Sequence, residues 1–212
     1  MPTDERQPSF DFGPPRPLVR DALPSERRRV LEVLGRAFFD DPIAMFVYPK
    51  DASRSARYGQ FMGLAMDAFE GEGMVLVNDA VESAAIWQAP IEDKRKAGFF
   101  KQLRLMTRLL QLTRGGFFRA ARLADVMGKH HLEEPHWYLA VLGTDPDAQG
   151  QGLGSAVMQP ILDRCDRTRM PAYLESSKES NLPFYQKHGF EVIEELQIPD
   201  GPSMWPMVRR TG

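Results

Sequence analysis

The chain has a single cysteine, Cys165, among its 212 residues. One cysteine excludes an internal disulfide and any zinc site built from several cysteines, and it suits a reducing compartment. No apolar run approaches the ~20 residues that a membrane-spanning helix needs. Basic and acidic residues nearly balance, 27 against 29, which leaves a net charge of −2, so the chain as a whole is not predicted to bind polyanions.

The first residues, MPTDERQPSF, have no apolar stretch and do not resemble a secretory signal. Prolines are frequent in residues 1–16, which we expect to form a flexible leader. Residues 17–212 are enough for one domain with a buried core and too few for two. We therefore predict a cytoplasmic, single-domain protein without a membrane span.

Residues 94–132 differ from the rest of the chain in charge. They hold ten basic residues against one acid, Asp125, a net charge of +9 that leaves −11 elsewhere. Leucines and phenylalanines at helical spacing predict an amphipathic helical insertion, broken at Gly115-Gly116. A solvated helix face is the ordinary explanation for such a segment. Contact with a membrane surface or nucleic acid, or a lid that attracts phosphates, are alternatives, and we predict no nucleic-acid partner.

The apolar pattern along the chain predicts helices and strands in alternation. A short strand at 17–20 precedes a helix that starts at Ser25 and is expected to end at Asp41-Pro42, and a second helix covers about 52–70. A hairpin follows at 74–77 and 83–87. Beyond Pro135 the predicted strands are 136–143, 171–176, 190–198 and 204–209, with helices at about 150–168 and 180–188. This alternation favours a mixed α/β sheet over a helix bundle.

A glycine-rich turn, Gln149-Gly150-Gln151-Gly152-Leu153-Gly154, lies between a predicted strand and a predicted helix. Glycines let backbone N–H groups approach a ligand closely. The unpaired N–H groups and the dipole of the following helix favour an anion. A phosphate or pyrophosphate is therefore the predicted guest, and a plain connector is the alternative.

Two other phosphate-binding motifs compete for these residues. A Walker loop is excluded, because Gly154 is followed by Ser155-Ala156 and not by a lysine. A Rossmann fingerprint needs a glycine or alanine where Ser155 stands, although Glu175, 21 residues past Gly154, imitates its ribose-binding acid. The long turn before the glycines and their late place in the chain argue against it, and it is kept as an alternative.

Two motifs together carry a resemblance to a known family. The run Leu142-Gly-Thr-Asp-Pro-x-x-Gln-Gly-x-Gly-Leu-Gly154 resembles motif A of the GNAT acetyltransferases, and Asn181-Leu-Pro-Phe-Tyr-Gln-Lys-His-Gly-Phe190 resembles the motif that follows it. The runs 171–177 and 199–207 are similar to the puromycin N-acetyltransferase-like branch. The resemblance implies an α/β (α+β) GNAT fold: a mixed, mostly antiparallel, twisted sheet of about six to seven strands flanked by helices, with a helical insertion before the coenzyme-binding strand.

The resemblance also implies acetyl-coenzyme A as co-substrate, no metal, and a primary amine of a small molecule as acceptor, attacked directly in a ternary complex. Strand residues would pair through their backbone with the pantetheine, the glycine turn would hold the pyrophosphate, and two residues of the next helix would contact the coenzyme. A glycine inside the strand independently suggests a bulge or a close backbone approach. The implied contacts are Val141, Leu142, Gly143, Thr144, Gln149, Gly150, Gln151, Gly152, Leu153, Gly154, Ser155, Asn181 and Tyr185.

Acetyl transfer expels a thiolate, which an acid near the sulfur can protonate. By resemblance Tyr185 is that acid, and a core tyrosine with its hydroxyl in water is the alternative. Glu175 ends a strand and is the candidate base for the amine, with His136 a weaker one and a solvated strand-end acid as the alternative. Cys165 lies in an apolar helix stripe and is interpreted as a small core residue, so no acyl-enzyme is expected.

Other residues are interpreted more plainly. The polar cluster at 130–136 lacks the fixed ligand spacing of a metal site, so a connector is predicted. Aromatics of the N-terminal half hint at an acceptor wall, although such residues are more often core. A non-catalytic acyl-coenzyme A-binding module and an acetyltransferase for protein amines remain alternatives, and a homodimer is left open. The aromatics in question are Phe38, Phe39, Phe46, Tyr48 and Trp87.

Overall fold

The computed structural model describes residues 17–69, 71, 73–90, 107, 109–113 and 116–211. The predicted leader and most of the first half of the basic segment lie outside the described residues. In the described part, no helix has both the length and the apolar character needed to cross a bilayer.

Eight strands of the described chain form one sheet in the order β1-β2-β3-β4-β5-β8-β6, with β7 also paired to β8. Neighbouring strands are antiparallel except for β4 and β5. The doubly wound parallel sheet that a Rossmann fold requires is therefore not the fold of this sheet, and that alternative is wrong. The strands are β1 Val19–Asp21, β2 Gly73–Asn78, β3 Ser83–Gln88, β4 Trp137–Thr144, β5 Ala172–Ser176, β6 Glu191–Val192, β7 Leu196–Gln197 and β8 Ser203–Arg209.

Helices cover both faces of the sheet, because successive strand residues point to opposite sides. Leu76 and Ala85 pack with Val157 and Ile161 of the long helix on one face. Their neighbours Val77, Ala84 and Ile86 pack with the first helix on the other face. A third cluster joins the second, third and fourth helices to β7 and β8. The helices are α1 Arg27–Ala37, α2 Pro42–Val47, α3 Arg54–Ala68, α4 Phe117–His130, α5 Leu153–Thr168 and α6 Leu182–Gln186.

The end of the first helix was predicted wrongly. Helix α1 ends at Ala37, and Asp41-Pro42 begins α2 instead of closing α1. The Asp41 carboxylate accepts hydrogen bonds from the N–H groups of Ile43 (2.8 Å) and Ala44 (3.2 Å). An aspartate at the N-cap followed by proline in the first turn is a helix start, because proline has no N–H to leave unpaired there.

The predicted strand at 190–198 is two short strands, β6 and β7, which raises the strand number to eight. The strand β6 pairs with Met207 and Val208, whereas β7 pairs with Ser203 and Met204. Between these stretches lies Pro206, which cannot donate a ladder hydrogen bond. Its carbonyl oxygen still accepts from the Ile193 N–H at 2.9 Å, and the ladder is divided beyond this point, where the register shifts by one residue between Val192 and Leu196.

The described part of the basic segment is helical, and Gly116 is the N-cap of α4. Its charged side chains are paired at the surface: Arg122 binds Asp200 at 2.8 Å, and Lys129 binds Asp125 at 2.7 Å. Such pairs fit the interpretation of α4 as a helix with a solvated charged face.

Candidate active site

The strands β4 and β5 separate after a short common stretch. Their parallel ladder has three residue pairs and ends at Leu139 and Leu174. Beyond it, β5 continues against β8 at Glu175 and Ser176, and β4 continues against β3 as far as Thr144. Among the described residues, no strand pairs with the β5-facing edge of β4 over residues 140–144. We call this opening the β4–β5 gap; its free backbone edge can pair with an extended ligand.

A β-bulge on β4 lies where the gap begins. On β3, the adjacent residues Trp87 and Ile86 are paired with Leu139 and Val141 of β4, respectively. Ala140 is therefore an extra residue on β4. A bulge bends its strand and increases the local twist. The bend therefore occurs at the point where β4 leaves β5.

The glycine at position 143 is explained by helix packing and not by a bulge. A Cβ placed on Gly143 would lie 2.9 Å from Leu34 Cδ2, 3.0 Å from Ala37 Cβ and 3.1 Å from Phe38 Cε2. Glycine is needed there because α1 packs closely on the strand. The expected close approach is thus present, made by a helix, and the bulge lies three residues earlier at Ala140.

The glycine-rich turn follows β4 directly. Gly150 and Gly152 have φ of +78° and +77°, a left-handed conformation that favours glycine. Gly152 is the N-cap of the 16-residue helix α5 and has no side chain with which to cap it. The first N–H groups of α5 are thus left available to an anion.

The structure brings the turn, the end of β4 and α6 together. A Cβ on Gly154 would lie 3.5 Å from Thr144 Oγ1 and 3.6 Å from Phe184 Cζ. The Gln149 side-chain amide donates to the Thr144 carbonyl oxygen at 3.2 Å. The other predicted contacts are distributed around this junction: Gly150 and Gln151 are exposed, Ser155 is half-buried in the first turn of α5, Leu153 points into the core, and Asn181 is exposed just before α6.

Tyr185 of α6 is buried, with its ring centroid 5.2 Å from that of Phe184 and 6.1 Å from that of Phe190. Burial raises the pKa of the Tyr185 phenol well above its usual value, and the nearby charge of Asp41 raises it further. The phenol is therefore protonated throughout the neutral range. That is the state a general acid needs.

Asp41 and Ser177 belong to the same region, although sequence reasoning did not single them out. Asp41 is 2% exposed and accepts a short hydrogen bond from the Ser177 hydroxyl, at the end of β5. Burial raises the pKa of the Asp41 carboxyl, while its hydrogen bonds to Ser177 and to the α2 N–H groups oppose that rise. The Asp-Pro pair is the N-cap pattern that could have identified Asp41.

Glu175 is buried, so the alternative of a solvated strand-end acid is wrong. Its side chain is 2% exposed and lies in the wall of a cavity of about 280 Å³ between the sheet and helices α3 and α4. Ala140, Val141 and Ser177 line the same cavity, which places the carboxylate at the start of the β4–β5 gap. Burial raises the pKa of Tyr138 and Tyr173, and the charge of Glu175 contributes to both shifts.

Two histidines connect Glu175 to the surface. His131 Nδ1 lies 3.3 Å from Glu175 Oε1, and His131 Nε2 lies 3.2 Å from His136 Nε2. His136 Nδ1 donates to the Glu134 carbonyl oxygen at 2.6 Å. Since that oxygen can only accept, hydrogen bonds at both other contacts require one proton beyond two neutral imidazoles and a carboxylate. The contacts thus form a continuous chain from the Glu175 carboxylate through both imidazole rings to the Glu134 carbonyl oxygen.

This histidine cluster was predicted to be a connector. Over the residues that the structure describes, no group of three or more His, Cys, Asp or Glu side chains is arranged to hold a metal ion. His131 is 25% exposed. Sequence reasoning missed its contact with Glu175, because the two residues lie 44 positions apart in the chain.

The comparison with protein families decides the class. The sequence model described as "Acetyltransferase (GNAT) domain" matches residues 95–211, which is more than half of the chain. The chain belongs to the GNAT acetyltransferase family. It is therefore an acyl-coenzyme A-dependent N-acetyltransferase, as its motifs predicted.

Individual relatives agree with the family. An uncharacterised N-acetyltransferase of Schizosaccharomyces pombe is 27% identical over 187 residues, which are 81% of this chain and 73% of the relative. A mycothiol acetyltransferase of Brachybacterium faecium is 28% identical over 142 residues, 61% of this chain but 41% of that protein. The puromycin-like branch of this GNAT acetyltransferase stays a prediction, since these relatives do not name it.

The fold of the GNAT acetyltransferase is also found in solved structures. The crystal structure of histone acetyltransferase HPA2 and related acetyltransferase from Corynebacterium glutamicum is similar to this fold, with a TM-score of 0.69 and 22% identity. The match covers 93% of this chain and 97% of that one. The predicted GNAT fold, a mostly antiparallel mixed sheet flanked by helices, is confirmed.

Proposed function

We propose that this protein transfers the acetyl group of acetyl-coenzyme A to a primary amine of a small molecule by direct attack in a ternary complex. The observation that carries the proposal is the β4–β5 gap, with the glycine-rich turn at one end and the buried Glu175 at the other. A coenzyme site, an acid and a base then meet at one edge of the sheet.

Acetyl-coenzyme A, the co-substrate of the family, fits this gap. Backbone groups of Val141, Leu142, Gly143 and Thr144 would pair with the pantetheine amides as an added strand would. Backbone N–H groups of residues 149–155, at the start of α5, would hold the pyrophosphate. Asn181, just before α6, would contact the coenzyme next to Tyr185. The left-handed glycines support this assignment, since they keep the turn free of side chains at Gly150 and Gly152.

In the reaction the amine nitrogen attacks the thioester carbonyl, a C–N bond forms and the C–S bond breaks. The Tyr185 phenol donates its proton to the departing thiolate, and the second proton, which the nitrogen loses once the C–N bond has formed, restores the phenol. Backbone N–H groups at the gap stabilise the negative oxygen of the tetrahedral species. Burial favours this role, because it keeps the phenol protonated and removes water that would compete for the thiolate.

The amine must lose a proton to attack. Glu175 accepts that proton at the wall of the cavity, and His131, at 3.3 Å and partly exposed, passes a proton on to solvent. His136 fixes the orientation of His131 through their 3.2 Å contact.

Calorimetric titration with acetyl-coenzyme A, and with NAD as control, tests the proposal. We expect micromolar binding of the coenzyme alone, and thiol release when a suitable amine is added. Absence of coenzyme binding would contradict the site. Binding without thiol release from a broad set of amines and amine-bearing peptides would instead indicate a module that binds acyl-coenzyme A without turnover.

A further inference from the structure

The cavity beside Glu175 has a strongly apolar wall. Its volume is about 280 Å³. A cavity of about 150 Å³ in an engineered lysozyme accepts benzene, so this cavity is nearly twice as large. It thus has room for one aromatic ring and a linker of two or three carbons. Side chains from α3, α4, β8 and the segment before α4 form the wall, among them Phe61, Met62, Leu109, Leu123, Met127 and Met204.

Aromatic rings form one side of this cavity. The ring centroids of Tyr58 and Phe61 lie 5.5 Å apart in a stacked arrangement, and those of Phe38 and Tyr58 lie 5.8 Å apart. Such a surface offers both faces and edges to a further ring. The methionines beside it are adaptable and make favourable sulfur–aromatic contacts. Of the aromatics suspected from sequence, Phe38 lines this wall, and Trp87 lies in the core instead.

The described wall of the cavity has one charged side chain. Among the described residues that line it, Glu175 is the only one with an ionisable carboxyl or a cationic group, and Ser177, Tyr58 and Tyr138 supply the remaining side-chain polarity. One carboxylate can hold one ammonium group. A second cation would have no second carboxylate among the described lining residues, and most of a set of sugar hydroxyls would be buried against carbon, at a cost in binding free energy.

We infer that the acceptor is a primary monoamine on an apolar, preferably aromatic, body of about one ring. This inference rests on the proposed function. The ammonium group binds at Glu175, next to the β4–β5 gap, and the body fills the cavity between the sheet, α3 and α4. Polyamines, amino sugars and peptide amines are disfavoured, because the described wall offers their other polar groups no second charged partner and few hydroxyl partners.

A thiol-release assay with four amines tests the inference on the full chain. We expect kcat/KM for 2-phenylethylamine to exceed that for agmatine, glucosamine and a lysine-containing peptide by about 100-fold or more. Equal or faster acetylation of any of the other three would overturn the inference and leave the proposed function standing. Coenzyme binding without acetylation of 2-phenylethylamine would overturn it as well. Failure to bind acetyl-coenzyme A at all would remove the proposed function itself.

Variants at Ala124 locate the effect in the cavity. Ala124 lines the wall from an exposed position on α4, so its replacement does not disturb the core. Ala124→Phe should lower kcat/KM for 2-phenylethylamine about tenfold or more with an unchanged Kd for acetyl-coenzyme A, and Ala124→Glu should shift the preference toward agmatine. Ala121→Phe, on the same helix but outside the cavity wall, is the matched control. Equal effects at both positions would contradict the assignment.

Discussion

Tyr185 is the residue on which the proposed chemistry depends most directly. Replacing it with phenylalanine keeps the ring in its aromatic contacts and removes only the hydroxyl. We expect Tyr185→Phe to lower kcat by about 100- to 10,000-fold while the Kd for acetyl-coenzyme A is unchanged. Since its pKa is raised, the native enzyme should show no decline in kcat from this group below about pH 10.

The control for Tyr185→Phe is Tyr48→Phe. It also removes a buried phenol, one that donates to the Leu112 carbonyl oxygen at 3.1 Å, outside the gap. This variant should lose some stability and keep kcat. An unchanged kcat in Tyr185→Phe would remove the tyrosine from the mechanism.

The glycine-rich turn gives a second test at the scale of one residue. Gly152 has φ of +77° and open space around it, so alanine is disfavoured there by conformation alone. Gly152→Ala should cost about 1–2 kcal/mol of unfolding free energy, measured in urea. Gly154→Ala is the control, because it has ordinary neighbours at 3.5 Å and a helical backbone in which alanine is favoured. Equal losses would contradict the conformational argument.

Sequence reasoning reached Tyr185 and the glycines through motifs that resemble a family, and Glu175 through its place at a strand end; their roles stay predictions. They could not predict the partners. Ser177 and Asp41 are 136 positions apart in the chain, and His131 and Glu175 are 44 apart. Such contacts depend on how α2 and the segment after α4 fold back on the sheet, which no local pattern encodes.

At the scale of elements, α2 depends on its cap. Asp41→Ala removes the acceptor for two N–H groups and for Ser177, and we expect a loss of about 1–2 kcal/mol in chemical unfolding. Asp41→Asn keeps an oxygen acceptor and should lose much less. Asp41→Asn also removes a buried ionisable carboxyl, whose pKa is raised by burial. Equal losses in the two variants would show that charge, and not capping, is what the position supplies.

The elements were predicted best where a periodic apolar pattern was long. Helices α1, α3 and α5 and strands β2, β3 and β4 were all expected, because each has at least six residues and a clear apolar pattern. The short elements were not. Whether 190–198 forms one strand or two depends on a one-residue shift in its register against β8, which becomes apparent only when the pairing is known.

At the scale of the whole molecule, the β4–β5 gap divides the sheet. Three residue pairs join β1–β4 to β5–β8. A ligand that pairs with β4 across the gap should protect amides of residues 140–144 from hydrogen exchange. At 100 times its Kd, acetyl-coenzyme A should stabilise the fold by about 2.7 kcal/mol. Desulfo-coenzyme A without the acetyl group is the matched ligand control. Stabilisation without protection in β4 would argue against pairing there.

Acid should weaken the fold through its surface carboxylates. Arg20 holds the pKa of Glu26 down at about 2 through two 2.8 Å hydrogen bonds, and Arg209 and Lys178 lower the pKa values of Asp166 and Asp40. A lowered folded-state pKa contributes stability above the unfolded pKa and loses it as pH falls. We therefore expect the melting temperature to hold from pH 7 to about 5 and to fall between about 4.5 and 2.

Salt is the control for the acid experiment, since these pairs are exposed and salt screens them. The fall in melting temperature should be smaller at about 0.5 M NaCl than at low ionic strength. The screening length shortens from about 10 Å at about 0.1 M salt to about 3 Å at about 1 M, so the added salt weakens exposed pairs. Asp41 acts in the opposite direction, because burial raises its pKa and protonation then favours the folded state. A melting temperature that does not change down to pH 2.5 would contradict the assignment.

The buried cysteine has a practical consequence for chemical labelling. Cys165 is the only cysteine of the chain, and burial in α5 raises the pKa of its thiol to about 11. Maleimides and disulfide reagents, which react with accessible thiolates, should leave the folded protein untouched. A cysteine introduced on α4 at the cavity rim would then be the single attachment point for a fluorophore or spin label, and the native scaffold would need no prior cysteine removal.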